Sequence, residues 1–259
     1  MILAGLVLLA IGASDLVRAF VRTRRWLGFI VVAVGVAALG VLAAAPLALA
    51  LALVAAGLWV VFMPHTGGGR AGAWPVLGLL VVCCAGVLGF GGGGGGLLAE
   101  FGPVASPVGE LSVATIVLLA GTSVFLLESG NVIVRSALAL ERIVVPPAAD
   151  DPAAPSAPGI PPVPPLPPRP PAARASALKG GRLIGPLERL LVFALTLSGA
   201  YTLLAAVIAA KGIVRFPEIS RDGENGDRAE YFLVGSMVSW VTALVAAFLV
   251  WWAVGSLGR

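Results

Sequence analysis

Residues 186–216 read PLERLLVFALTLSGAYTLLAAVIAAKGIVRF, and their reading sets the architecture of the C-terminal third of the chain. Between Arg189 and Lys211 no residue is charged. The run is therefore long enough, at 1.5 Å per helical residue, to cross roughly 30 Å of hydrocarbon as one span. On a continuous helix Glu188 and Lys211 lie about 35 Å apart and cannot meet. They mark opposite ends of the span, with Glu188 and Arg189 at the inner interface and Lys211 and Arg215 at the outer one. There the long basic side chains reach toward the headgroups.

A second run, from about residue 231 to 254, follows the charged loop PEISRDGENGDRAE. Two helices joined by so short a loop are antiparallel neighbours. Lys211 and Arg215, one turn apart, then face Glu230, with Asp227 and Glu218 closer to water. Such a cluster is an ion-pair lock or the rim of a polar cavity, because unpaired charge at membrane depth is costly. At the inner side Arg182, Glu188 and Arg189 join Glu128, Asn131 and Arg135, the polar end of an earlier run that begins near Leu111.

Working outward, the whole chain has the composition of a membrane protein. Of 259 residues 59% are hydrophobic and 12% charged, about half the charged share of an ordinary soluble domain. The apolar runs are continuous rather than alternating, which argues for helices against a β-barrel. The expected fold is all-α, a polytopic bundle of about seven spans. The opening run, MILAGLVLLAIGASDLVRAF, is followed by VRTRRW, the reverse of a signal peptide's charge order. Its Asp15 and Arg18, at i and i+3, are spaced to pair near the inner interface. Runs over 27–45 and 47–63 form a hairpin about Pro46, since one helix of that length is too long for a single crossing. A fourth run covers 74–90.

Three regions follow: a membrane part over 1–145, a linker over 146–176, and a helical hairpin over 177–259. Thirteen of the 20 prolines fall between 146 and 171, which predicts a polyproline spacer. Its PPLPPR, 164–169, has the spacing that SH3 domains read, a pattern such linkers also produce by chance. With the N-terminus outside and the C-terminus cytoplasmic, 13 of the 17 Lys and Arg fall on the inner side, as the positive-inside rule asks. The linker is then cytoplasmic and the loop RDGENGDR external.

No motif points to catalysis, a cofactor or a metal. His65 is the single histidine, Cys83 and Cys84 are adjacent within an apolar run, and Gly91–Gly96 lacks the Lys-Ser/Thr ending of a phosphate loop. The net charge of +4 belongs to membrane loops, not to a nucleic-acid surface. The leading expectation is a non-enzymatic membrane protein that contacts the lipid bilayer and docks a membrane or cytoplasmic protein partner as a scaffold. The alternative is a transporter or channel component for an ion or small solute.

The segments GRLIGPLERLLVFALTLSG, IAAKGIVRFPEI and AEYFLVGSMVS, within 181–239, carry a resemblance. Arg182, Glu188, Arg189, Lys211, Arg215, Glu230 and Tyr231 are similar to charged and polar positions in the C-terminal membrane region of a family of uncharacterised bacterial multi-pass proteins. Gly212 and Pro186 depart from that pattern. The resemblance implies a bacterial inner-membrane location and no particular reaction, substrate or cofactor.

Overall fold

The computed structural model describes residues 1–21, 23–63, 74–89, 96–100, 102–106, 109–144, 181–220 and 227–256. The linker 146–176, His65 and the run Gly91–Gly95 lie outside these residues. Helices α1 (Ile2–Phe20), α2 (Arg25–Leu42), α3 (Pro46–Phe62) and α4 (Trp74–Gly89) are followed by the short α5 (Leu97–Glu100). An antiparallel pair, β1 (Val104–Ser106) and β2 (Gly109–Leu111), leads into α6 (Val113–Val144). Then come α7 (Gly181–Leu197), α8 (Tyr201–Ser220) and α9 (Asp227–Gly255). Among the described residues the structure is a helical bundle with one small hairpin.

Four helical stretches are long and apolar enough to cross a membrane: Ile2–Phe20, Arg25–Leu42, Val113–Ala139 and Phe232–Gly255. Pro46–Phe62, Trp74–Gly89 and Tyr201–Val214 are shorter apolar helices. Pro46 is the first residue of α3, where its missing N–H costs nothing, so α2 and α3 form the expected hairpin. Val31, Val61, Ile213 and Val214 are each at least 70% exposed, the pattern of surfaces that meet lipid rather than water.

The core is built around α1, which is apolar on all sides and correspondingly buried. It runs parallel to α6 at close range. A Cβ on Gly5 would come within 2.9 Å of the Leu118 backbone, and one on Gly12 within 2.6 Å of the Phe125 backbone. Gly121 leaves room in return for the Gly5 carbonyl. Small residues at this seam let two backbones touch, which is how helices associate where no water drives them together.

These contacts fix which helix ends coincide. The C-terminus of α3 lies beside α1 and α6, because Arg18 donates to the Met63 carbonyl at 2.9 Å and Ser136 meets the Met63 sulfur at 3.7 Å. Phe62 and Trp74 meet edge to face at 4.9 Å, which brings in the start of α4. Near the start of α9, Gly235 faces Val134 and Leu138 of α6. One end of the bundle thus gathers the C-termini of α1, α3, α6 and α8 and the N-termini of α2, α4, α7 and α9. At the other end Gly86 of α4 packs on Leu3 and Ala4 of α1.

The C-terminal third departs from the one-span expectation. Residues 186–216 are not a single helix: α7 stops at Leu197 and α8 starts at Tyr201. Gly199 sits at φ +71, and the amides of Gly199 and Ala200 donate to the carbonyls of Thr196 and Leu195 at 3.2 and 3.0 Å. This is a Schellman stop, in which a glycine takes the left-handed position that caps the last carbonyls. The chain doubles back, so the end of α8 returns to the end where α7 began.

Candidate functional site

The doubled-back α8 brings Lys211 to Glu188. The correction to the 35 Å separation follows from counting along each arm. Glu188 lies nine residues before the end of α7 and Lys211 ten residues after the start of α8, so at 1.5 Å per residue they sit at nearly equal heights of about 14 and 15 Å from the turn. Lys211 Nζ donates to both carboxylate oxygens of Glu188, at 2.6 and 2.7 Å. Trp240 Nε1, from α9, donates to the same carboxylate at 2.6 Å. The ammonium also stands 5.2 Å from the Trp240 ring centre and 5.4 Å from that of Phe232, within cation–π range.

The next residue of α7, Arg189, ties that helix to α6 and α9. Its Nε donates to the Leu126 carbonyl of α6 at 2.9 Å, one terminal nitrogen to Asn131 Oδ1 at 2.5 Å, and the other to Ser239 Oγ of α9 at 3.3 Å. The residue is 1% exposed. Gly130 makes this possible, since a Cβ there would lie 2.5 Å from Arg189 Nε. Asn131 in turn donates to Glu128 at 3.1 Å, and Arg135 reaches Glu128 at 3.3 Å.

Glu128, Asn131, Arg135, Glu188, Arg189 and Lys211 line one cavity of about 580 Å³ among α6, α7, α8 and α9, together with Ile184, Phe232, Ser236 and Ser239. Its size falls in the range of small-molecule sites. Three cations, Arg135, Arg189 and Lys211, face two carboxylates, Glu128 and Glu188. Arg135 pairs with Glu128 and Lys211 with Glu188, while among the described residues Arg189 is hydrogen-bonded to neutral acceptors only. Glu128 and Leu126 lie near the middle of the Val113–Ala139 stretch, so polar groups reach the centre of an otherwise apolar helix.

The sequence-derived residues are therefore regrouped. Glu128, Asn131, Arg135, Glu188 and Arg189 come together, and Lys211, expected at the far end of a span, joins them. Glu230 is exposed and makes no ion pair with Lys211. The side chains of Arg182, Arg215, Glu218 and Asp227 lie outside the described ones. Sequence reasoning missed Trp240, Phe232, Ser236 and Ser239. Their signal is the spacing Phe232, Ser236, Ser239, Trp240, which puts all four on one helical stripe of α9.

A second polar group lies between α1 and α3. Asp15 is fully buried, takes Arg18 at 3.2 Å and accepts the Trp59 indole N–H at 2.9 Å. The expected Asp15–Arg18 pair forms, but inside the bundle. Both of its carboxylate oxygens accept protein donors, so it reads as a tie between helices.

Comparison of the chain with protein-family models, with curated proteins and with solved structures found no match.

Proposed function

We propose that this chain is a multi-pass protein of a bacterial plasma membrane that admits a small solute to the cavity among α6, α7, α8 and α9, as a binding or conducting component of transport. The observation that carries this reading is the buried Arg189, which lines a 580 Å³ cavity beside two ion pairs. Ionisable groups at membrane depth are expensive, and a protein that only scaffolds has no need of them there. A hairpin that enters a bundle and turns back, lined by polar groups, is a recurrent way to build a solute site at depth. Docking of a partner, expected from the linker 146–176, rests on residues outside the described ones.

Cation placement supports an orientation. Residues 18–25, Arg70, 135–189 and 211–228 are flanked, in sequence, by the helix ends that gather where α6 stops and α7 starts. Together they hold every Lys and Arg except Arg259, 16 of 17. The positive-inside rule makes that end cytoplasmic. The cavity then opens to the cytoplasm, the loop 221–226 faces the same side as the linker, and the end of α9 is external. On this reading the loop and the C-terminus lie on the sides opposite to those expected from the sequence.

The test is cysteine accessibility. Ser236→Cys, in a background with Cys83→Ala and Cys84→Ala, should react with small charged methanethiosulfonates in inside-out vesicles. Reaction from neither side, or from the outer side alone, would contradict a cytoplasmic cavity.

A further inference from the structure

Among the described residues the cavity has a surplus of one positive charge. Arg135 and Lys211 pair with the two lining carboxylates, and Arg189 is the third cation against those two acids. A guanidinium carries five N–H donors. Three of them reach Leu126, Asn131 and Ser239, so among the described residues two have no protein acceptor. Ser236 contributes a further hydroxyl to the same wall. A buried charge in excess of its counter-charges is costly, and its cost falls when a counter-ion of matching shape arrives. Guanidinium matches the planar or tetrahedral oxygens of a carboxylate or phosphate better than it matches a spherical halide.

We propose that the cavity binds a ligand through one singly charged oxyanion group, a carboxylate or phosphate, held by Arg189 with Ser236 beside it. The inference rests on the solute-cavity reading above. Ile184, Val134 and Leu138 supply an apolar wall, so the group belongs to a molecule with an apolar part. Either a free organic anion or the phosphodiester of an anionic lipid meets that description.

Full-length protein in detergent is titrated with benzoate, with inorganic phosphate and with dihexanoyl phosphatidylglycerol, at constant ionic strength in sodium chloride, with dihexanoyl phosphatidylcholine as the control lipid. Thermal stability is read throughout. Saturable stabilisation by benzoate or phosphate alone identifies a solute source, and by phosphatidylglycerol alone a lipid source. Either outcome supports the proposal. Arg189→Lys, which keeps the charge and loses the fork, should weaken the effective probe on the order of tenfold. Glu188→Gln, which doubles the positive surplus, should strengthen it by a similar factor. Arg135→Gln, at an exposed position, should weaken it.

No saturable effect of any anion over chloride and phosphatidylcholine would overturn the proposal, as would affinity unchanged in all three variants. If Ser236→Cys still labels from inside, only the anion assignment fails. If that cysteine is sealed from both sides, the cavity reading fails as well.

Discussion

Replacing Lys211 by Met and Glu188 by Gln, singly and together, measures the contact that the α7–α8 turn creates. Both nitrogen–oxygen distances are under 3 Å. The lysine side chain is 23% exposed and the glutamate 13%, so solvent screens the pair far less than a surface ion pair, whose coupling is about 0.2–1 kcal/mol. The pair is also not sealed as tightly as those whose one-sided removal costs about 3–5 kcal/mol. A coupling energy of about 2 kcal/mol lies between these limits. In a domain of this size that corresponds to roughly 4–8 °C of melting temperature. The assay is thermal unfolding of detergent-solubilised protein for the wild type, both single variants and the double variant. Trp240→Phe removes the third donor to the same carboxylate and should cost about 1 kcal/mol more. A parallel cycle with Glu230→Gln should show no coupling to Lys211. Coupling below about 0.5 kcal/mol for Lys211 with Glu188, or a larger value for Lys211 with Glu230, would refute the reasoning.

The remaining predictions use the same melting assay. Gly12→Ala puts a methyl within 2.6–2.7 Å of the Phe125 backbone and should destabilise by about 2–3 kcal/mol, because backbone cannot step aside as a flexible side chain does. Trp59→Phe keeps the ring's volume roughly but leaves Asp15 Oδ2 without its indole donor, a loss of about 1–3 kcal/mol. Gly199→Val should cost about 1–3 kcal/mol, since a β-branched residue at φ +71 is strained. Gly199→Asn should cost clearly less, and equal effects of the two would argue against the left-handed turn.

Hydrophobic run length made the helical membrane class legible, and Pro46 made the α2–α3 hairpin legible, because both are local properties. The hairpin of α7 and α8 carried a local mark too. Ser198-Gly199 supplies the C′ glycine of a helix stop, yet the unbroken apolar composition on both sides of it reads as one span. From that single continuity came the 35 Å separation of Glu188 and Lys211 and the assignment of Lys211 to Glu230. Trp240 and Ser239 were missed for a different reason: their spacing with Phe232 and Ser236 marks a stripe of α9 but not what the stripe faces. A tryptophan or serine on an apolar helix faces lipid or protein with no difference in sequence, and only the partner helix decides. Asp15 shows the same limit: its spacing to Arg18 is local, but its indole donor comes from Trp59, 44 residues away.

The measurement that tests the fold-back most directly is the side on which two engineered cysteines react. With Cys83 and Cys84 replaced by alanine, Ser156→Cys in the linker and Asn225→Cys in the loop before α9 are labelled by an impermeant maleimide in inside-out and right-side-out vesicles. The α7–α8 hairpin returns the chain to its starting side, so both cysteines should react in inside-out vesicles and be protected in the others. Reaction of the two from opposite sides would restore residues 186–216 as a single span and contradict the account.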